Sequence, residues 1–209
     1  MKVYDEKHLK NIVLLGAPKS GKTLLAEDMI FEAGITHRRG TIEGRNTVSD
    51  FHEIEQERGN SIFATVLHSE WRDYKINIID TPGFDDFAGE MISSIRVADT
   101  CVVVINAQHG VEVSTELIWN YVDKFNQPVI FAINQVDHPK SNFDEALESL
   151  KQTFGHAVTQ MQYPVNQGEG FNAIIDLLKM VMYKFPEEGG KPEKLPIPDS
   201  EKEKADRLH

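Results

Sequence analysis

The sequence has one cysteine, no long apolar run and a shortage of basic side chains among its 209 residues. The cysteine, Cys101, lies in the apolar run CVVVIN, so we predict a buried thiol and exclude a disulfide framework and a cysteine metal site. No stretch approaches the ~18 consecutive apolar residues of a membrane span, and the N-terminal MKVYDEKHLK is not a signal sequence. These absences predict a cytoplasmic protein without a membrane partner.

The shortage of basic residues restricts the partners that the surface can bind. Lys and Arg number 22 against 33 Asp and Glu, which gives a formal net charge of −11. Such a surface repels the phosphate backbone of nucleic acids, so we expect no specific DNA binding, and an RNA partner would require a local basic patch. With 40% hydrophobic and 26% charged residues, the composition is typical of one globular α/β domain, which we expect to be monomeric.

Short apolar runs alternate with amphipathic segments along most of the chain. The apolar runs predict strands at residues 11–16, 61–71, 74–80, 100–107 and 128–134. The amphipathic segments predict helices at residues 23–33, 89–98, 114–125 and 142–154. This alternation predicts an α/β fold with a mostly parallel sheet, helices on both faces and ligands at the carboxyl ends of the strands.

Two segments break this alternation. Residues 34–60 are polar and charged, and they are too many for an ordinary connection, so this segment is either a functional loop or partly disordered. Residues 186–209 read PEEGGKPEKLPIPDSEKEKADRLH, which is rich in Pro, Gly, Lys and Glu. This composition predicts an extended segment with a helical end.

The octapeptide GAPKSGKT fits the phosphate-binding pattern G-x-x-x-x-G-K-[ST] and lies between a predicted strand and a predicted helix. In such a loop the backbone N–H groups surround phosphates, Lys22 reaches the β and γ phosphates, and the Thr23 hydroxyl binds Mg²⁺. The alternative, a chance glycine turn with a helix cap, is disfavoured because pattern and context agree. The predicted phosphate-binding residues are Gly16, Ala17, Pro18, Lys19, Ser20, Gly21, Lys22 and Thr23.

A second motif, DTPG, follows the predicted strand at 74–80. Asp80 can hold Mg²⁺ through water, and Gly83 can offer a backbone N–H to the γ-phosphate without side-chain obstruction. Alone, D-x-P-G is a common strand-to-turn sequence. Because a phosphate-binding motif precedes it in this sequence, we favour the interpretation that DTPG binds Mg²⁺ and the γ-phosphate.

A third motif, NQVD, ends the predicted strand at 128–134. The Asp137 carboxylate can accept hydrogen bonds from the N1–H and the exocyclic amine of guanine, a donor pair that adenine does not present. Asn134, Gln135 and Asp137 are therefore the predicted base-binding residues, and GTP is favoured over ATP. The alternative is an Asn/Asp turn before a His-Pro pair.

The three motifs in this order resemble the GTP-binding domain of translational GTPases, most closely that of elongation factor G. The similarity includes EQERGNSI, DTPGFDDF and VADTCVVVINAQHGVEVSTELIWNYVDKFNQPVIFAINQVD, and it covers nearly all of residues 8–180. The resemblance implies a P-loop NTPase fold, GTP and GDP as ligands, Mg²⁺ as cofactor and the ribosome as partner of the full-length factor. It also implies Lys22 and Gly83 as catalytic residues.

The resemblance further assigns the chain's segments. It implies that residues 34–60 form the first switch, that Ser61 replaces the family's Mg²⁺-binding threonine, and that the second switch spans residues 80 to about 95. The implied metal-binding residues are Thr23, Ser61 and Asp80. Residues 1–185 are then a GTP-binding domain without its last base-binding motif, including the start of the family's insert from about residue 163, and residues 186–209 are a truncated end of that insert. We therefore expect a fragment of a longer factor.

Three further residues depart from the family pattern, and unlike Ser61 they do not keep the family's functional group. Phe84 stands where the family has the water-positioning histidine, Lys19 where it has an aspartate that helps to hold a monovalent cation, and Gln135 where it has a lysine. We predict that GTP hydrolysis is slow or absent, with the Phe84 ring packed against apolar residues beside the phosphate-binding loop. The ammonium of Lys19 either replaces the cation or points into solvent. The alternative functions are a normally active ribosome-stimulated GTPase of the ribosomal protection or release factor type, and a GTP-dependent binding module outside elongation.

Overall fold

The computed structural model describes residues 3–186 and 190–209. The chain forms two compact units: the first comprises the chain up to Ile105 with Glu112–Asn134, and the second comprises Asn106–Val111 with the chain from Gln135 onward. The domain boundary predicted after residue 185 falls inside the second unit. Residues 187–189 of the predicted terminal segment lie outside the described residues, and that boundary stays a prediction.

The first unit is built on a five-stranded sheet. Its strands are β1 (Leu9–Leu15), β2 (Thr65–Trp71), β3 (Tyr74–Asp80), β4 (Thr100–Asn106) and β5 (Val129–Asn134). Their order is β2-β3-β1-β4-β5, with β1 parallel to both β3 and β4, whereas β2 is antiparallel to β3. The sheet is therefore mixed but mostly parallel, as predicted, and the carboxyl ends of β1, β3 and β4 lie at one edge.

The first unit also contains α-helices, of which the first and the third contact the sheet. They are α1 (Lys22–Glu32), α2 (Glu53–Arg58), α3 (Ala88–Val97) and α4 (Val113–Lys124). The α1 side chains Ala26 and Ile30 pack in a buried cluster with Leu14 of β1. Val13 and Leu15 alternate with Leu14, so they face the other side of the sheet, and both are fully buried. Burial of successive residues confirms the prediction of a sheet that is covered on both faces.

The second unit contains a small antiparallel sheet that the apolar pattern did not predict. Its strands are β6 (Gln162–Pro164), β7 (Ala173–Asp176), β8 (Val181–Lys184) and β9 (Glu193–Leu195), paired in that order. The helices of this unit are α5 (Phe143–Phe154) and α6 (Asp199–Leu208). Strands of three or four residues are too short for an alternating pattern to be recognised. The helical end predicted for the terminal segment is confirmed by α6.

The strand predicted at residues 61–71 begins only at Thr65. The backbone N–H groups of Ile62 and Phe63 donate to the carboxylate of Glu55 at 2.8 and 3.0 Å, and that of Ala64 donates to Glu90 at 2.9 Å. Carboxylate side chains therefore accept the backbone N–H groups that a longer strand would donate to its neighbouring strand, and β2 begins only after them.

The remaining short elements are single turns of 3₁₀ helix at Glu6–His8, Asp85–Phe87 and Gly155–Ala157. The predicted burial of Cys101 is confirmed, and this burial raises the pKa of its thiol to about 11. Within residues 3–186 and 190–209, no helix is long and apolar enough to cross a membrane.

Candidate nucleotide-binding site

The GAPKSGKT loop connects β1 to α1, as the motif requires. Gly16 and Gly21 have φ angles of 145° and 95°, in the region that favours glycine, and α1 begins directly after Gly21. Lys19 also adopts a positive φ, 62°, and its side chain is exposed. A glycine loop that leads into a helix N-terminus directs backbone N–H groups and a partial positive charge at one point, which suits an anionic phosphate.

Lys22 lies inside this loop rather than in solvent. Its Nζ donates hydrogen bonds to the carbonyl oxygens of Gly16 and Ala17, each at 3.0 Å. Burial lowers the pKa of Lys22 to about 8, against the raising influence of the Asp80 and Asp50 carboxylates. These carbonyls carry no formal charge, so the ammonium retains strong attraction for a phosphate.

Gly83 approaches the loop so closely that no side chain fits. A Cβ atom on Gly83 would lie 2.6 Å from Nζ of Lys22, 2.9 Å from the backbone nitrogen of Pro18 and 3.0 Å from the carbonyl carbon of Ala17. The DTPG segment therefore touches the phosphate-binding loop at its glycine.

Hydroxyl and carboxylate groups gather beside the start of α1. The Thr23 and Ser61 hydroxyl oxygens are 3.2 Å apart, and Oδ2 of Asp80 accepts a hydrogen bond from the Ser49 hydroxyl at 2.8 Å. Asp80 is 1% exposed, and among the described residues its other oxygen, Oδ1, has no hydrogen-bond partner. Burial raises the pKa of Asp80 to about 6, although the Ser49 and Thr23 hydroxyls lower it.

This set of groups fits Mg²⁺. A buried carboxylate oxygen without a partner is costly unless a cation or a water ligand of a cation occupies it. Among the described residues, no three His, Cys, Asp or Glu side chains form a metal site by themselves. Mg²⁺ in nucleotide sites commonly takes few protein ligands and completes its shell with phosphate and water, so the hydroxyl and carboxylate oxygens of Thr23, Ser61 and Asp80 are of the kind that would hold it.

The motifs did not identify Ser49 and Asp50 as site residues. Both are buried, and Asp50 lies beside the Ser61 hydroxyl, which lowers the Asp50 pKa while burial, the larger effect, raises it. They belong to the polar segment at 34–60, which has neither periodicity nor a motif. No local signal in the sequence could have indicated them, because their relation to Asp80 arises from a contact across 31 residues.

Asn134, the first residue of NQVD, contacts the phosphate-binding loop. Its side-chain amide donates to the backbone oxygen of Ser20 at 2.9 Å. The Ser20 hydroxyl is buried and, within the described part of the chain, unpartnered. Ser20 and Asp80 are therefore two buried polar groups of the candidate site with an unsatisfied oxygen, as expected where a ligand supplies the missing hydrogen bond.

Gln135 and Asp137 belong to the second unit. Gln135 has a φ of 60°, and its side-chain oxygen accepts a hydrogen bond at 2.7 Å from the amide of Asn106. The backbone N–H of His138 donates to the carbonyl of Gln135 at 3.2 Å, and Asp137 is exposed within this turn. NQVD therefore forms a turn. Because the Asp137 carboxylate is exposed in this turn, the predicted base-binding role is compatible with it.

Phe84, next to Gly83, is 40% exposed. Its ring is therefore not enclosed by apolar residues. The packing of this ring against apolar residues beside the phosphate-binding loop stays a prediction, as does the replacement of a monovalent cation by Lys19.

Comparisons with known proteins place the chain in a family. The elongation factor Tu GTP binding domain family matches residues 7–187. Elongation factor G from Mycoplasma pneumoniae is 34% identical over 207 residues, which are 98% of this chain and 30% of that protein. Elongation factor G 2 from Streptomyces coelicolor is 33% identical over 199 residues, 95% of this chain and 29% of that protein.

Two further comparisons agree. An elongation factor G-like protein from Thermotoga maritima is 32% identical over 194 residues, 93% of this chain and 27% of that protein. A solved crystal structure of a Thermus thermophilus protein superposes with a TM-score of 0.89 and 26% identity over 95% of this chain and 30% of that chain. The chain thus spans less than a third of the length of these relatives. The family match includes the phosphate-binding loop, DTPG and NQVD, and the chain therefore belongs to the family of elongation factor Tu-type GTP-binding domains, with elongation factor G among its relatives.

Proposed function

We propose that this chain is the nucleotide-binding part of an elongation factor G-like protein that acts on the ribosome, binds Mg²⁺–GTP and hydrolyses GTP slowly or not at all. The observation that carries the slow hydrolysis is Phe84, which follows the glycine that touches Lys22. The family membership supports guanine nucleotide as the ligand, and the names of the relatives motivate the ribosome as the partner of the whole protein.

Binding is assigned to groups whose contacts suit it. Lys22 and the loop amides hold the phosphates, and Gly83 offers its N–H to the γ-phosphate. Thr23, Ser61 and Asp80 hold Mg²⁺, with Asp50 beside Ser61 as a further carboxylate. Mg²⁺ supplies charge neutralisation at the phosphate oxygens. Asn134, Gln135 and Asp137 select guanine through their motif.

Hydrolysis requires one more group than binding does. The attacking water must be oriented, and a side chain that orients water or transfers its proton contributes typically about 10² to 10⁴ in rate. Phenylalanine has neither a lone pair nor a polar hydrogen, so Phe84 cannot supply this contribution. Lys22 and Gly83 stabilise negative charge on the phosphate, but neither places the water. GTP loading would then set the conformation without rapid turnover.

The test is GTP turnover by the full-length factor, measured with and without ribosomes. We expect GTP-dependent ribosome binding with turnover near the intrinsic background, and a partial gain of ribosome-stimulated turnover in Phe84→His. If the unmodified factor instead hydrolyses GTP on the ribosome at the speed usual for ribosome-activated members of the family, another group places the water and the protein is a normally active GTPase.

A further inference from the structure

Glu27 is a buried carboxylate that belongs to no motif. It lies on α1 one turn after Thr23 and is 1% exposed. Its Oε2 accepts a hydrogen bond from the backbone N–H of Gly40 at 3.0 Å, and its Oε1 accepts one from the backbone N–H of Val48. The Glu27 side chain thus binds both ends of the stretch 40–48, which lies within the polar segment at 34–60.

The segment fits closely around this carboxylate. A Cβ atom on Gly40 would lie 2.7 Å from Oε2 of Glu27, and equally close to the backbone oxygen of Asn46 and to Cα of Thr47. Thr47 itself is buried. Gly40 is therefore required for the approach, and the chain at residues 40–48 is shaped by the Glu27 carboxylate.

The residues after Val48 lead directly to the proposed Mg²⁺ site. Ser49 donates to Asp80, and Asp50 lies beside Ser61. Val48, whose backbone N–H donates to Glu27, therefore directly precedes Ser49, whose hydroxyl donates to Asp80. A displacement of Val48 would carry Ser49 away from Asp80.

Other contacts between α1 and this segment are weaker. Arg39 pairs with Asp28 at 3.1 Å and with Glu32 at 2.8 Å, but all three side chains are about half exposed. Exposed ion pairs contribute little, whereas a buried carboxylate that accepts two amides leaves both donors unpaired when it is removed. Glu27 is therefore the main attachment of residues 40–48 to α1.

We propose that Glu27 is a positioning residue for GTP: it holds Val48 so that Ser49 and Asp50 keep Asp80 and Ser61 in place for Mg²⁺ and the γ-phosphate. This inference rests on the proposed function. GDP lacks the γ-phosphate and depends mainly on the phosphate-binding loop and the base motif, so loss of Glu27 selectively weakens GTP.

The test compares Glu27→Gln with Glu32→Gln in the full chain. Both changes replace a carboxylate of α1 by an amide, and both original side chains contact the same segment. Fluorescent GTP and GDP are titrated at several Mg²⁺ concentrations, and hydrogen exchange is measured at residues 40–48. For Glu27→Gln we expect at least about a tenfold loss of GTP affinity, less than about a threefold loss for GDP, a higher Mg²⁺ requirement and faster exchange at 40–48. Glu32→Gln is expected to match the unmodified chain.

Three outcomes would overturn the inference. An equal loss of GTP and GDP affinity, with faster exchange throughout the first unit, would show that Glu27 serves only the general stability of the fold. If the unmodified chain binds GTP and Glu27→Gln binds it equally tightly, the positioning role of Glu27 is refuted and the proposed function is not affected. If the unmodified chain bound no guanine nucleotide, the proposed function would fail as well.

A second variant keeps the test valid if Glu27→Gln does not fold. Gly40→Ala leaves the carboxylate intact and displaces the segment from it, because the added methyl group collides with backbone atoms. It is expected to cause the same selective loss of GTP affinity. Normal GTP affinity in a folded Gly40→Ala chain would count against the inference.

Discussion

Replacement of Gly83 by alanine tests whether the second-switch glycine must lie against the phosphate-binding loop when GTP is bound. The added Cβ would lie 2.6 Å from the Lys22 ammonium, which can move, but also 2.9 and 3.0 Å from backbone atoms of Pro18 and Ala17, which cannot. Gly83 does not have a positive φ, so the cost is steric and not one of backbone strain. Overpacking of this kind costs about 1–3 kcal/mol.

The collision is relieved if the DTPG segment moves away from the loop. GTP would then lose the Gly83 N–H at its γ-phosphate, whereas GDP has no γ-phosphate to lose. A cost of about 1–3 kcal/mol corresponds to roughly a 5- to 150-fold loss of GTP affinity. We expect this loss for GTP and little change for GDP, measured by fluorescent-nucleotide titration of Gly83→Ala.

Gly89→Ala is the matched control. It lies six residues further along the same switch, within α3, and a Cβ there would meet nothing within 4 Å. This change is expected to leave nucleotide affinity unaltered and to raise stability slightly, since alanine favours a helix by about 0.5–1 kcal/mol over glycine. If a folded Gly83→Ala chain bound GTP as tightly as Gly89→Ala does, the proposed contact of Gly83 with the γ-phosphate would be refuted.

Four further predictions concern binding and stability. Lys22→Ala should abolish Mg²⁺–GTP binding, because the lost ammonium is buried among the phosphate-binding groups; retained affinity in a titration would contradict the loop assignment. Asp137→Asn should shift preference from guanine toward xanthine nucleotides, and competition titration with both bases decides this. If Lys19 replaces a monovalent cation, nucleotide affinity should not change when K⁺ is exchanged for Na⁺ at constant ionic strength, and a strong K⁺ dependence would exclude the replacement. Because the pKa of Cys101 is raised from 9.0 to about 11, the folded chain keeps a proton that the unfolded chain loses. Stability should therefore fall by roughly 1–2 kcal/mol as the pH rises from about 9 toward 11, and the slope should be smaller in Cys101→Ala in urea unfolding.

The elements that the sequence predicted well are those with a local cause. The strand predicted at 74–80 matches β3 at both ends, because an apolar run stops at the buried Asp80. Helix α1 begins within one residue of its predicted start, because Gly21 adopts a left-handed conformation that ends the loop. The loop that connects β1 to α1 was predictable for the same reason, since the GAPKSGKT pattern and its strand–helix context lie within one short stretch.

The elements that the sequence did not predict depend on contacts between distant residues. The segment at 34–60 was interpreted as either a functional loop or partly disordered, and the structure shows an ordered segment with a short helix. Its order comes from Glu27, which accepts from its backbone, and from Asp80, which accepts from its Ser49 hydroxyl. Glu55, inside the segment, accepts from the backbone N–H of Ile62 just after it. No property of the segment's own composition reveals these partners.

Lys22, Asp50 and Asp80 show why this part of the first unit is suited to a charged ligand. Burial is the largest cause of all three pKa shifts, and each shift disfavours the charged form: the pKa of Lys22 falls to about 8, that of Asp80 rises to about 6, and that of Asp50 also rises. The charged forms of these three side chains are therefore poorly solvated in the folded chain. A polyphosphate against the ammonium and a cation against the carboxylates would relieve this cost, and ligand binding should stabilise the fold. Phe84 carries no charge and offsets none of this cost, so its replacement by histidine should change the rate of hydrolysis far more than the affinity for GTP.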